Sequence, residues 1–469
     1  YCSGAADDDD EAVDVSTYSV FYEDVDGDGY GVAESTVERC DAGEGYAPLV
    51  GDCDDDEANA NPGLTEVCGD LIDNDCDGSS NTCGPNGELD LGDYTSAAGD
   101  TQSGLGSSVA PFDSDGFLVG APATIAGSKG SAMVLDSSLS GITLSGSKNG
   151  EQAGSAVSGG DVDNDGAADA LVGAPGYDVS QQSSNQGRVY LVLNPTSSGD
   201  LDDGEIYTGG SSDNAGSMVA LLDWDGSGGD EIFASDRTSV MVLSSSMAVE
   251  ESSSGDYVTV LAGGDLDGDG AEELLIGVSG SSELHVLADG ELGGDYDDGT
   301  ATLTGLGGEG VGSAVAARCD VDGDGQEDMA VGASNASGSK GRAYLITDLS
   351  GGLTGATATV EGTAQYKLGT AVALLDIDAD GHCDVVVGAP GAGTNTSGVS
   401  WLYYGPVSGT LHPVDADASF AGEGDFAAAG TTLTNAGDLD GDGYDDLAVG
   451  APGDSSLAGA VYLVNGGGI

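Results

Sequence analysis

One phrase recurs seven times along this chain, and that repetition limits the possible folds more than any other property. A Gly-Ser/Thr-apolar segment leads into an Asp-rich loop, then into an apolar segment ending on Gly-Ala-Pro or a relative of it. The clearest copy reads Gly154-Ser-Ala-Val, then Asp161-Val-Asp163-Asn-Asp165-Gly166-Ala-Ala-Asp169, then Ala-Leu-Val-Gly173-Ala-Pro175. A third apolar segment, Gly187-Arg-Val-Tyr-Leu-Val, follows it. The glycine of the second segment falls at 120, 173, 277, 332, 388 and 450, with Ala234 in the third copy. Steps of 43 to 62 residues, with three strands legible per copy and a fourth in the variable stretch, are the arithmetic of a β-propeller blade. A nonapeptide calcium β-roll has a similar composition, but its period is far too short. The expected fold class is therefore all-β, a seven-bladed β-propeller over residues 88–469. The last copy stops at its third strand, Ala460–Val464, and an open ring would leave bare strand edges. Residues 93–98, just upstream of the first copy, are expected to close blade seven.

Composition narrows the partners. Of 469 residues, 83 are Asp or Glu and 9 are Lys or Arg, for a formal charge of −74. Each phosphate contact needs a cation, so nucleic acid and anionic membranes are excluded. No run approaches the ~18 consecutive apolar residues of a membrane helix, and no transmembrane segment is expected. Eight cysteines in an acidic, Gly-rich chain point to an oxidising compartment, hence to a secreted or cell-surface, extracellular protein. The chain opens Tyr1-Cys2 without a Met, as a processed chain would; Cys2-Ser-Gly also has the form of a lipoprotein start.

Five loops follow the pattern D-x-D-x-D-G-x-x-[DE]. They are Asp161, Asp163, Asp165 and Asp169; Asp265, Asp267, Asp269 and Glu273; Asp320, Asp322, Asp324 and Asp328; Asp376, Asp378, Asp380 and Asp384; and Asp438, Asp440, Asp442 and Asp446. Residues 1, 3 and 5 aim carboxylates at one centre, and Gly at 6 permits the reversal. A carbonyl at 7 and the carboxylate at 9 complete an oxygen cage that suits Ca2+, which accepts six to eight oxygens with loose geometry. A solvated acidic turn without metal is the alternative for any single loop; five in register between strands favour the cation. Asp223, Asp225 and Glu231 form a damaged, weaker copy in blade three. In blade one, Pro111-Phe-Asp113-Ser-Asp115-Gly116 leaves no spacing for a full loop.

Gly369-Thr-Ala-Val-Ala, Asp376-Ile-Asp378-Ala-Asp380-Gly381-His-Cys-Asp384 and Val-Val-Val-Gly388-Ala-Pro390 resemble FG-GAP repeats, the blades of integrin α-subunit propellers and of many bacterial surface proteins. The resemblance covers about four-fifths of the chain and implies a calcium-stabilised, non-catalytic binding scaffold.

The first 90 residues hold 26 acidic side chains against one basic residue, Arg39, and six of the eight cysteines. Without a stripe of large apolar side chains, this segment needs disulfides and metal to fold. Residues 1–17 read as an acidic tail and 18–87 as a module with further metal candidates at Asp24, Asp26 and Asp28, at Asp52, Asp54 and Asp56, and at Asp73, Asp75 and Asp77. Gly-Asp52-Cys53-Asp54-Asp55 and Asp73-Asn-Asp75-Cys76-Asp77-Gly78 resemble a metal-binding repeat of secreted bacterial proteins and, more distantly, thrombospondin type 3 calcium repeats. Six cysteines allow fifteen pairings; the expected set is Cys40–Cys53, Cys68–Cys76 and Cys2–Cys83. Cys319 and Cys383 fall on one face of neighbouring blades, as a blade-to-blade disulfide or as two buried thiols.

No catalytic motif stands out. The histidines, His285, His382 and His412, share no local motif with a nucleophile, and no G-x-S-x-G occurs. The expected function is a calcium-stabilised, extracellular propeller of bacterial origin, acting in adhesion or binding to an extracellular protein or glycan. A second reading is a structural subunit that binds copies of itself through its N-terminal module, a homopolymer forming a surface fibre. A third is the non-catalytic part of a secreted enzyme system.

Overall fold

The computed structural model describes residues 18–39, 41–64, 72, 74, 76 and 84–467, apart from 115, 124–127, 180–184, 237, 289–291, 293 and 297–298. The expectations for the tail 1–17, for Cys2, Cys40, Cys68 and Cys83, and for Asp73, Asp75 and Asp77 fall outside these residues. The chain divides into two compact units, the first holding the residues up to Gly84 together with Asp378–Gly381 and the second the remainder from Pro85 onward.

From Pro85 onward the described residues form seven four-stranded antiparallel sheets, the blades of a β-propeller. Blade 2 is typical: Ala156–Gly160, Asp169–Ala174, Arg188–Val192 and Glu205–Thr208, each antiparallel to the next. The second strand is wholly buried in every blade but the third, as in Asp169–Ala174, Asp328–Ala333 and Asp446–Ala451, and in the third only Glu231 is partly exposed. That burial explains why these segments read as short unbroken apolar runs. Blade 7 combines Thr432–Gly437, Asp446–Ala451 and Ala460–Val464 with Thr95–Ala98 from the start of the unit, which runs antiparallel to residues 460–463.

Seven apolar clusters fill the seven gaps between neighbouring blades. One of them packs Phe117, Val119 and Leu135 of blade 1 against Ala448, Val461 and Leu463 of blade 7, so the ring is shut by packing as well as by pairing. The second-strand glycines of the repeat sit where blades touch. A Cβ at 120, 173, 277, 332, 388 or 450 would collide with the carbonyl oxygen of Gly154, Gly216, Gly312, Gly369, Gly430 or Gly106 of the next blade. The innermost strands surround a central cavity of about 620 Å³ lined by small residues, among them Ser108, Ser158, Ser313 and Thr432.

Four outer strands gain a parallel fifth neighbour that the repeat pattern did not reveal. Gly199–Asp200 adds to blade 1, Gly294–Asp295 to blade 3, Gly409–Leu411 to blade 5 and Gly87–Asp90 to blade 6. Each lies on the way to the outer strand of the following blade, and it covers an edge that would otherwise present bare backbone groups. A disulfide between Cys319 and Cys383, with Cα atoms 6.2 Å apart, ties blade 5 to blade 6.

In the N-terminal unit, Ser19–Glu23 and Tyr30–Arg39 form an antiparallel hairpin flanked by Tyr46–Ala47 and Leu49–Val50. Among its described residues the buried apolar side chains are Phe21, Ala47 and Ala60, too few to make a core alone. The structure pairs Cys53 with Cys76, Cα atoms 5.5 Å apart, and so corrects both the Cys40–Cys53 and the Cys68–Cys76 pairings. The reason is a crossing of two segments: Asn61 donates its backbone N–H to the Asn74 carbonyl, and Asn74 Nδ2 donates to the Asn59 carbonyl. These bonds hold Asn74, and with it Cys76, beside residues 52–61, and proximity in sequence had no bearing on it.

Candidate metal centres

Each Asp-rich loop joins the first and second strands of a blade, and its backbone is shaped by its own carboxylates. Position 1 accepts the N–H of position 6: Gly166 donates to Asp161, Gly228 to Asp223, Gly270 to Asp265, Gly325 to Asp320 and Gly443 to Asp438, at 2.8–3.1 Å. Position 6 is left-handed throughout, with φ between +83° and +97° from Gly166 to Gly443 and including Gly381, which is why glycine stands there. Position 4 is left-handed as well, and holds Asn164, Gly226, Gly268, Gly323, Ala379 and Gly441; the sequence pattern had left that position free.

Position 9 opens the buried second strand. Its carboxylate accepts the N–H of position 2: Val162 donates to Asp169, Trp224 to Glu231, Leu266 to Glu273, Val321 to Asp328, Ile377 to Asp384 and Leu439 to Asp446. Asp169, Glu273, Asp328, Asp384 and Asp446 are each at most 5% exposed. Burial, reinforced by the other loop carboxylates, pushes Glu231 and Glu273 up to about 7 and Asp328 and Asp446 up to about 6. A buried carboxylate held among like charges is the situation a bound cation relieves.

The loops bring oxygens together as the spacing implies. Carboxylate oxygens of Asp161, Asp163 and Asp169 lie within 4.8 Å of one another, as do those of Asp265, Asp267 and Asp269, and of Asp320, Asp322 and Asp328. Position 5 also accepts the N–H of position 7 through one oxygen: Ala167 donates to Asp165, Ala271 to Asp269, Gln326 to Asp324 and Tyr444 to Asp442. In blade 7 the Asp442 N–H donates to both Asp438 and Asp440, and the charges of Asp440 and Asp442 act on Asp446; in blade 6 Asp380 donates its N–H to Asp378 while Asp376 occupies position 1. The damaged loop of blade 3 also converges, through Asp223, Asp225 and Glu231, although Ser227 replaces its third aspartate. Blade 1 has only a two-residue turn between Asp113 and Gly116 and no room for a cage.

In the N-terminal unit, Asp24, Asp26 and Asp28 form a further oxygen trio in the hairpin turn. Asp52 is 9% exposed, and burial together with the charges of Asp28 and Asp26 raises its pKa. Its Oδ2 and that of Asp26 are buried without a hydrogen-bond partner, and both fit the role of metal ligands. Asp54 and Asp56 point outward, whereas Asp55, which the sequence reading passed over, accepts the Val25 N–H. A run of five carboxylates, Asp52 to Glu57, broken by one Cys gives no periodic cue to which side chains turn inward.

The buried His285 contacts Thr302 Oγ1 at 3.2 Å and lies against Tyr296, and His412 Nδ1 faces the Glu361 carbonyl; both serve packing between strands.

Four segments, residues 153–192, 311–346, 368–403 and 429–464, match the family model described as "FG-GAP repeat", and residues 52–81 match one described as "Putative metal-binding motif". The four repeats coincide with blades 2, 5, 6 and 7. Neither model describes a catalytic family. The chain thus carries FG-GAP repeats folded as an integrin α-like β-propeller, next to a metal-binding motif.

Among known proteins it is similar to integrin alpha pat-2 of Caenorhabditis elegans, 31% identical over 215 residues, which is 40% of this chain and 17% of that one. It is 39% identical over 100 residues to integrin alpha-4 of Xenopus laevis (21% of this chain, 10% of that one) and 36% identical over 154 residues to integrin alpha-IIb of Mus musculus (30% and 14%). The chain therefore spans between a tenth and a fifth of the length of these relatives. Among the described residues no helix is long and apolar enough to cross a membrane.

Proposed function

We propose that this protein is a calcium-stabilised, extracellular binding module whose propeller presents a rigid surface for adhesion to a protein or glycan partner. The observation that carries the reading is the buried position-9 carboxylate repeated in blades 2, 4, 5, 6 and 7, in loops whose turns are set by their own aspartates. Oxygen-only ligands, nine-residue loops and loose geometry favour Ca2+ over Mg2+, which demands a tighter octahedron and keeps more water. Asp161, Asp265, Asp320, Asp376 and Asp438, with positions 3, 5 and 9 of their loops, would hold the ions. Extracellular calcium modules have Kd near 10⁻⁴–10⁻³ M, so at millimolar Ca2+ each site adds about 0.5–1.5 kcal/mol.

Calorimetric titration of chelated protein with Ca2+ tests the reading: five or more equivalents should bind, and saturation at one or none would end it. Size-exclusion chromatography and negative-stain microscopy with and without Ca2+ separate the two modes of use. Discrete particles of one chain fit adhesion; filaments would indicate a self-assembling fibre subunit.

A further inference from the structure

The acidic doublets that end the loops contain a residue with no place in the cage. Position 9 is the ligand, but position 8 is also acidic in Asp230-Glu231, Glu272-Glu273, Glu327-Asp328 and Asp445-Asp446. In all four, the position-8 carboxylate reaches across to the preceding blade and accepts the backbone N–H of position 1 of that blade's loop. Asp230 takes the N–H of Asp161 at 2.7 Å, Glu272 that of Asp223 at 3.0 Å, Glu327 that of Asp265 at 2.8 Å and Asp445 that of Asp376 at 3.1 Å.

A second bond returns each time. The N–H of Asp230, Glu272, Glu327 and Asp445 donates to the carbonyl of Asp161, Asp223, Asp265 and Asp376, at 2.9–3.1 Å. Position 1 is thereby held at both of its backbone groups by the next blade. The junction between blades 5 and 6 departs from this scheme in a telling way. Position 8 there is Cys383, and its partner is Cys319, the residue immediately before position 1, so a disulfide stands where the carboxylate clasp stands elsewhere. Five successive junctions, from blade 2 to blade 7, are fastened at this one point.

We propose that the position-8 carboxylates and the Cys319–Cys383 disulfide are positioning elements that couple the cation loops of neighbouring blades. The coupling is directional. A cation held by position 9 of one loop fixes position 8 beside it, and position 8 fixes position 1 of the loop before, whose carboxylate is both ligand and acceptor of the turn's N–H groups. Order in one loop therefore lowers the cost of ordering the preceding one, which is the condition for positive coupling between two sites. The proposal rests on the calcium reading of the loops and adds how they communicate.

The test uses the full chain with Asp230→Ala and Asp230→Asn, and follows Ca2+-dependent hydrogen-exchange protection of the peptide covering residues 161–169. Loop 2 keeps all four of its own carboxylates in both variants. Asp230→Ala, which removes the acceptor, should raise the Ca2+ midpoint of loop 2 on the order of tenfold, the effect of one charge-assisted hydrogen bond. The midpoints of loops 5 and 7 should stay put. Asp230→Asn keeps an oxygen facing the Asp161 N–H and should recover most of the affinity. A purely structural role would move every loop together and would not distinguish Asn from Ala.

An unchanged loop 2 midpoint in Asp230→Ala overturns the proposal. Wild-type protein with no Ca2+-dependent protection in any loop overturns the calcium reading instead. If Asp230→Ala does not fold, Cys319→Ser/Cys383→Ser asks the same question of residues 320–328. Its loop 5 midpoint should rise likewise, and an unchanged value refutes the coupling.

Discussion

The pH dependence of the metal-free ring follows from the position-9 carboxylates. In the folded state Glu231 and Glu273 sit at about 7 instead of 4.5, and Asp328 and Asp446 at about 6 instead of 3.8, chiefly because they are buried. Between the unfolded and folded values the native state binds more protons than the unfolded chain, so stability falls as pH rises through that window. The penalty is absent below about pH 4 and complete above about pH 7.

At about 1.4 kcal/mol per pKa unit, shifts of this size correspond to about 3 kcal/mol for each group. The loop mouths are open to solvent, and halving for screening leaves about 1.5 kcal/mol each, or roughly 6 kcal/mol for the four. With an unfolding entropy near 2.1 cal/mol/K per residue, a ring of about 380 residues has ~0.8 kcal/mol/K; about three-fifths of the change falls between pH 5 and pH 8, so Tm should drop by roughly 4–5 °C over that range. The assay is calorimetry on protein freed of metal by chelation and gel filtration. Millimolar Ca2+ should raise Tm at pH 8 and abolish the fall, because the bound ion favours the ionised carboxylates. A metal-free Tm that rises or stays level from pH 5 to pH 8 would refute the reasoning.

Other perturbations have equally definite outcomes. Cys319→Ser/Cys383→Ser opens a cross-link spanning 64 residues, worth about 4 kcal/mol of chain entropy; the urea midpoint should fall and the m-value rise, because the freed unfolded chain exposes more surface. Gly388→Ala should cost about 2 kcal/mol or more, because its methyl meets the Gly430 carbonyl, whereas Ala234→Gly should cost about 1 kcal/mol at most. Both are read by denaturant titration, and equal effects would contradict the account of blade contacts. A chain starting at Pro85 should melt cooperatively, while one starting at Asp100 loses the strand 95–98 together with the fully buried Leu91 and should not.

Periodicity carried most of the fold into view. Buried second strands and Gly-Ala-Pro endings are local, so each blade announces itself in about ten residues, and the loops do so through the spacing of their aspartates. Features that depend on a second blade were silent. The parallel strands at 199–200 and 409–411 have no pattern of their own, since main-chain bonds to a neighbour's edge require no particular side chain. Asp230 and Glu272 carry no local cue to their role, because their partners lie 69 and 49 residues away. Cys53 and Cys76 were mispaired for the same reason: what joins them is the crossing at Asn61 and Asn74, and six cysteines among turns leave no period to read.

Blade 7 has a mechanical consequence. Thr95 lies opposite Leu463, and Ala98 opposite Ala460, so the closing strand begins where its partner strand ends. Tension applied to the two ends would load the pairing of Gly87–Asp90 with blade 6 and then the bonds of this pair one after another, beginning at Thr95, rather than all at once in shear. Under pull the ring is built to peel along blades 6 and 7 first, while blades 1 to 5, built from chain between residues 108 and 411, stay out of the line of force.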